Sequence, residues 1–443
     1  MLKKPSKTIK CTTIKNKTID VAVFKKLSMA CAIAAVFSST GHALELSATV
    51  GLDAEHSDNM TKQAVNEQSD LKTTVSASVN AEHSGDKVQV AANYSAARST
   101  YQQDSYEDQT RVTGSGKLVY EQIEKQLIWT LENSRKNVIK NKTLNDVEDN
   151  REDRSISSVR ADLIMHPSEV DSLSLSPSYT AIKYEDTDGQ DSERIGASLS
   201  WDHALSKIDG FGAQVTYDDV TFDNDQFDYE YYLYTLSYQA QLSKLNYSIK
   251  VGVNESQRES ADYSGQYINA NASYELSSSA ITLNILQELT DTSRGSNNEG
   301  LSENSASFNE VDVFERASVE LGYQNSNLCG TCDLNVSLMY EEETYEVLPR
   351  DNEELRANVN FAYRLTRLMS LSLGVQWQDV SFSSTGLAQS DYQSVSYRTG
   401  LNWQLAEKLS AGVYVAYEER EFDLQARDYD ELKGGANVRY SFD

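Results

Sequence analysis

From Leu44 onward the chain alternates apolar and polar side chains with a period of two, in stretches of about ten residues set apart by turn-rich segments. The last stretch shows the pattern plainly. Ala436, Val438, Tyr440 and Phe442 fall on one side of an extended strand, and Asn437, Arg439 and Ser441 on the other. The same division recurs in Leu46, Ala48, Val50 and Leu52, in Phe211, Ala213, Val215 and Tyr217, and in Leu371, Leu373, Val375 and Trp377. A period of two presents one greasy and one wettable face to every strand, so the chain must build sheet and must hide one face of it. A soluble sandwich would hide the apolar rows in a core. A closed membrane barrel would press them against lipid and leave the polar rows in a wet lumen. Mean hydropathy is −0.55, and no run of 18 apolar residues follows the start, so helical membrane spans are excluded. Alternation averages out in hydropathy, so the low value leaves the barrel open.

Two asymmetries choose the barrel. Connections alternate between short ones (84–86, 277–279, 406–408) and long ones (57–70, 137–153, 290–312), as periplasmic turns and outer loops do. Aromatics close the apolar rows of the strands that run toward the short turns: Tyr120, Trp201, Tyr238, Tyr274, Tyr323, Tyr363, Trp403 and Tyr440. That spacing suits an aromatic girdle at the periplasmic interface. The terminal strand resembles the C-terminal signature that the assembly machinery of outer-membrane barrels reads, with Asp443 following the closing aromatic. The expected fold is all-β: a transmembrane antiparallel up-and-down barrel over residues 44–443, with about twenty strands and eighteen as the nearest alternative. The weakest strand runs from about Arg154 to Met165, where Ser155 and Ser157 dilute the apolar row.

Residues 1–43 read as a signal peptide. They carry eight lysines and one acid, an apolar stretch from Leu27 to Phe37, and small residues Gly41 and Ala43 before Leu44. The basic region is longer than a leader needs, which leaves room for a start codon downstream of Met1. Removing the leader from 40 basic and 67 acidic residues leaves 32 against 66, a net −34. Such a chain does not bind nucleic acid; its partners are expected to be outer-membrane lipid and lipopolysaccharide. Cys329 and Cys332 alone follow the leader, in a turn between two strands. With no thioredoxin-like unit around them and no second CxxC, a disulfide stapling a periplasmic hairpin is expected.

The row facing inward is polar and often small, as in Asn335 and Ser337, Asn358 and Asn360, or Ser394 and Ser396. A barrel this wide is not filled by such side chains, so the interior should hold water unless a loop folds in. Basic residues are scarce, yet Lys250, Arg356, Arg364, Arg398, Lys433 and Arg439 fall in the inward register. They could set selectivity for anionic solutes, or simply pair with Glu320, Glu341, Glu343 and Glu418. The densest local signal is Glu132-Asn133-Ser134-Arg135 followed by Asn145-Asp146-Val147-Glu148-Asp149-Asn150-Arg151. Asn and Asp stabilise loops through side-chain hydrogen bonds, and Arg135 and Arg151 can fork onto carboxylates. This is either a structured loop bent into the pore as a constriction or an ordinary solvated outer loop.

Asn133-Ser134-Arg135 and Asp149-Asn150-Arg151 resemble a motif of the "beta-barrel porin 2" family, whose members are encoded beside exopolysaccharide or PEP-CTERM gene clusters. The resemblance implies an outer-membrane role in exporting surface polysaccharide, with polysaccharide export proteins as partners. It is carried by these short segments and by the architecture.

Chemistry points nowhere else. His56, His83, His166 and His203 form no metalloprotease motif, and there is no nucleophile elbow. His166 and His203 read as periplasmic-turn residues. Asp218-Asp219 with His56 is the one combination that could serve a barrel hydrolase. The clusters Asp186, Asp188, Asp191, Glu193 and Asp223, Asp225, Asp228 lack the glycine and closing glutamate of a calcium loop. No enzyme activity, metal or cofactor is expected. The leading expectation is a conduit in the outer membrane of a Gram-negative bacterium, and the alternative is an anchoring barrel that binds surface polysaccharide without passing it.

Overall fold

The computed structural model describes residues 44–442 apart from 187–189, 224, 260, 294–310 and 384–390. The leader, Asp188 of the first acidic cluster and most of the loop at 290–312 lie outside the described residues.

Twenty strands form in chain order. They are β1 Glu45–Ser57, β2 Asp70–Ser84, β3 Val88–Tyr101, β4 Gln109–Ile123, β5 Leu127–Ile139, β6 Arg151–Met165, β7 Asp171–Tyr184, β8 Ser192–Ala204, β9 Asp209–Phe222 and β10 Tyr229–Gln241. The second ten are β11 Leu245–Arg258, β12 Asp262–Glu275, β13 Ser279–Asp291, β14 Val313–Asn325, β15 Cys332–Tyr345, β16 Asn352–Arg364, β17 Met369–Phe382, β18 Tyr392–Ala406, β19 Leu409–Phe422 and β20 Tyr429–Phe442. Each pairs antiparallel with the next, and β1 pairs with β20 from Ala48↔Phe442 to Ser57↔Lys433, so the sheet closes without an edge. The weakly alternating stretch at 154–165 is β6, and the count is twenty.

Register keeps like rows together around the ring. Val50 faces Ala77 and Tyr440, and Val375 faces Val359 and Tyr397. These apolar rows are exposed: Leu52, Leu236, Ile195 and Val415 each leave about half or more of their surface uncovered. A soluble protein would not present a continuous belt of this kind, and lipid is the medium that covers it. Tyr120, Trp201, Tyr274, Tyr363 and Tyr440 are exposed on the same face, toward the short turns. At the other end the row closes on carboxylates that face one another across strands, Asp219↔Glu230, Glu342↔Glu353 and Glu419↔Asp430. The greasy belt is therefore bounded by aromatics below and acids above. The molecule is an outer-membrane β-barrel.

One glycine marks a close approach. Gly114 has φ +145°, and a Cβ there would collide with the Asn93 carbonyl. The Tyr94 ring covers Gly114 and its neighbour Gly116, and its hydroxyl donates to Asn133 Oδ1 at 2.7 Å.

Candidate functional site

The inward row changes character along each strand. On β17 it runs Ser370, Ser372, Gly374 and Gln376, none of them buried, and then turns to Val380 and Phe382, both 3% exposed. Tyr392, Phe422 and Tyr429 continue that apolar patch across β18–β20, and Val220, Phe222, Tyr229 and Tyr231 make a second on β9–β10. The outer mouth of the barrel is thus lined by a packed surface rather than a wet one. Something must cover it.

Part of the cover is the connection between β5 and β6. Asn150, 6% exposed, is its hub. The Asn150 amide donates to the carbonyls of Asn141 (2.9 Å) and Asn145 (3.0 Å), and its Oδ1 accepts from the Asn141 backbone N–H at 3.1 Å. The Asn141 side chain in turn accepts from the Thr143 N–H and hydroxyl. Arg151 Nη2 donates to Asp146 Oδ2 at 2.7 Å, closing the loop on itself. Asn and Asp here do what turn residues do, replacing ladder bonds with side-chain bonds.

The folded loop then reaches across the lumen. Lys142 Nζ lies 2.8 Å from Glu343 Oε2 on β15. β15 stands nine strands from β6 in one direction and ten from β5 in the other, on the opposite wall. Glu343 is 1% exposed and also accepts from Arg316 Nη2 (2.8 Å), Asn352 Nδ2 (3.0 Å) and the Tyr345 hydroxyl (3.0 Å). Asn145 Nδ2 donates to the Lys62 carbonyl at 2.7 Å, and Arg427 donates to the Thr143 carbonyl. Residues 140–147 therefore form a strap anchored on the far wall and on two other outer loops. Burial works against the charge of Lys142, but Glu343 and Glu341 outweigh it and hold the ammonium above its ordinary pKa. Burial likewise opposes the charge of Asp146, and the Arg151 fork wins, so its pKa lies below the usual value. Both ends of the strap carry their charges at neutral pH.

A second buried network joins the outer ends of β7, β8, β10 and β13. Arg194 Nη2 meets Asp291 Oδ2 at 2.7 Å, the Tyr229 hydroxyl donates to the same oxygen at 2.5 Å, and Tyr184 donates to the Ser293 carbonyl at 3.2 Å. Asp291 is fully buried. A charge this deep is tolerated because each acceptor lone pair finds a donor.

Between the strap and the wall of β16–β19 a cavity of about 210 Å³ remains. Lys142, Leu144 and Asp146 of the strap line it on one side, and Arg356, Tyr392 and Arg420 on the other.

The residues singled out from sequence fall in different places. Arg356 lines that cavity and is paired with Glu354. Lys433 lies 2.9 Å from Glu431, and Arg439 lies 3.6 Å from Asp53. Arg398 stacks over the Tyr414 ring with its guanidinium carbon 3.8 Å from the centroid. Arg364 is exposed at the periplasmic end of β16. Asn150 and Arg151 hold the strap together, and Asp149 stands beside them in a short 3-10 turn at Glu148–Asn150. Arg135 is elsewhere: it shares the outward row of Trp129 and Leu131 and meets Asp153 (3.3 Å) and Glu185 (3.5 Å). On β5 and β6 the greasy row ends early, and Asn133, Arg135, Ser155 and Ser157 take its place. Glu341 and Glu343 serve Arg316 and the strap rather than the inward arginines named with them. Cys329 and Cys332 are bonded in the turn between β14 and β15. His166 lies in the turn after β6, whereas His203 is inside β8, with Nδ1 2.8 Å from Asp171. His56 on β1 and Asp218 on β9 stand eight strands apart and form no dyad.

Lys142 and Arg420 were missed by sequence reasoning. Arg420 carried a signal, since a cation flanked by Glu418 and Phe422 in the inward row of β19 is placed like Lys433 on β20. Lys142 carried none beyond lying in the loop.

No protein-family model matches the chain, and no curated protein matches it. Among solved structures it is similar to the FrpB iron transporter of Neisseria meningitidis, with 9% identity and a TM-score of 0.47 over 89% of this chain and 81% of that one. It is also similar to OpdK of Pseudomonas aeruginosa with vanillate (7% identity, TM-score 0.40, 90% and 99% covered). A third is an anion-selective porin of Comamonas acidovorans (10%, 0.39, 90% and 99%). At these identities and scores none carries a residue or a substrate across to this chain.

Proposed function

We propose that the protein is a conduit for hydrophilic solutes across the outer membrane, with its selectivity set at the outer mouth by the strap. The observation that carries this reading is the Lys142–Glu343 contact between opposite walls of a barrel whose lower lumen is lined by small polar side chains. A strap held by buried ion pairs narrows a wide barrel to a passage of defined chemistry. Surface polysaccharide is the cargo that the motif at Asn133-Ser134-Arg135 and Asp149-Asn150-Arg151 suggests, and the conduit acts without enzymatic chemistry. Purified protein in planar bilayers should give steps of ion conductance, and Arg356→Ala or Arg398→Ala should weaken its preference for anions.

The packed outer mouth supports a second reading, an anchoring barrel whose outer loops bind surface polysaccharide without passing it. Correctly folded protein that gives no conductance steps, even after the strap is released by Lys142→Ala, would favour the anchor.

A further inference from the structure

Arg420 is out of keeping with every other cation around the strap. Its residue is 8% exposed, and its Nε has no hydrogen-bond partner among the described residues. Its contacts are two aromatic faces, with the guanidinium carbon 4.3 Å from the Tyr392 ring centroid and 5.8 Å from that of Tyr429. Aromatic faces hold a cation in place without using its N–H donors. Arg420 is one of the residues that line the cavity beneath the strap.

The carboxylates of the same cavity are already taken. Glu418 is held by Lys62 at 2.9 Å and receives the Tyr429 hydroxyl at 2.6 Å. Asp146 is held by Arg151, and Glu354 by Arg356. Lys142 is spent on Glu343. Among the described residues Arg420 is therefore the cation of this cavity with no carboxylate at salt-bridge distance, although Glu418 and Asp146 act on it from farther off, and it stands where a buried, unsatisfied donor is costly. Gln376, Ser394 and Ser396 line the same space with amide and hydroxyl groups. The volume, about 210 Å³, is that of roughly seven waters at ~30 Å³ each, enough for one sugar-sized ring and too small for a folded chain.

We infer that this cavity is a binding subsite for one acidic sugar unit: Arg420 takes the carboxylate, and Gln376, Ser394 and Ser396 take ring hydroxyls. A planar guanidinium suits a carboxylate because two parallel N–H groups meet its two oxygens. The inference rests on the conduit reading for its meaning in transport, but the subsite itself is a matter of binding and is tested apart from conductance.

Glucuronate and glucose are the probes, titrated calorimetrically into detergent-solubilised protein whose folding is confirmed by its heat-dependent gel migration. Wild-type protein should bind glucuronate and bind glucose at least about tenfold more weakly, and Arg420→Gln should lose a similar factor for glucuronate alone. The Ser394→Ala/Ser396→Ala double variant leaves the cation in place and should weaken glucuronate binding by a smaller factor, which keeps the test alive if Arg420→Gln does not fold. Equal binding of the two sugars, or no glucuronate binding by folded wild-type protein, overturns the subsite. Glucuronate binding by a protein that gives no conductance sinks the conduit and keeps the subsite; conductance without glucuronate binding does the reverse.

Discussion

The lower lumen and the outer mouth are built from the same strands in the same register, yet they are different materials. On β16 the inward row passes from Asn360 and Asn358, open to the lumen, to Glu354 and Asn352, which are buried. On β18 it passes from Asn402 and Arg398, both exposed, to Tyr392, which is buried. The bottom is a wet pore wall and the top is a protein core whose other half is contributed by loops. Side chains at the bottom can change with little consequence for folding. Those at the top are tied together across the barrel, from Lys142 of the strap to Glu343 on the far wall.

The comparison breaks most sharply at Glu343. Glu343→Gln leaves Lys142 and Arg316 facing a neutral amide in a site that excludes water. Removing one partner of a buried ionic cluster costs about 3–5 kcal/mol. We expect a clear fall in the thermal transition of the detergent-solubilised barrel and larger conductance steps as the strap comes free. Asn358→Ala, on the lower wall, should move stability by no more than about 0.5 kcal/mol. Equal effects at the two positions would erase the distinction between the regions.

Asn150→Ala comes next. It removes two amide donations that shape the strap and leaves the Lys142–Glu343 contact as its far anchor. The loss is about 1–3 kcal/mol of local order, read as faster trypsin cleavage after Lys140 or Lys142 with little change in global unfolding. Unchanged cleavage would show that the far anchor alone holds the strap.

How much of this was legible beforehand follows from what a period of two encodes. It encodes which face a residue takes, so the barrel, the girdle from Tyr120 to Tyr440 and the inward placing of Arg356 and Arg439 could be read off directly. It does not encode what the inward face meets. Val380, Phe382, Tyr392 and Phe422 sit in the polar register yet pack on one another as a buried apolar cluster, with Arg427 of the β19–β20 connection over the Phe422 ring. Aromatics in that register at the outer strand ends were the available signal for a packed mouth. The strap's hub residues Asn150 and Arg151 stood out by composition, because turn-forming side chains cluster where a loop must satisfy its own backbone. Its anchor could not, since the partner of Lys142 lies 201 positions away. Arg135 misled for a related reason: its motif sits next to the loop in sequence, but the strand register turns it outward.

The pH dependence of the strap tests the comparison more gently. Asp146 has a lowered pKa, so its contribution is complete above the ordinary value of 3.8 and is lost only as pH falls through a lower one. Lys142 has a raised pKa, so its contribution is complete below the ordinary 10.5 and is lost only as pH rises through a higher one. Strap-dependent properties should therefore be flat from about pH 5 to about pH 9. A conductance or cleavage change centred near neutrality would mean that some other group holds the strap.

The smallest effect belongs to the far end of the molecule. The Cys329–Cys332 bond closes a turn with a sequence separation of only three. A cross-link stabilises mainly by removing freedom from the unfolded chain, and a short loop has little to remove, so its contribution sits at the low end of the ~0–5 kcal/mol range. Reduction, or Cys329→Ser with Cys332→Ser, should leave the thermal transition and the conductance nearly unchanged, because the turn lies beyond the aromatic girdle and touches neither the lipid belt nor the strap. A large loss of stability on reduction would place a folding-critical element among the periplasmic turns, and the division between a tolerant lower barrel and a tightly coupled mouth would have to be redrawn.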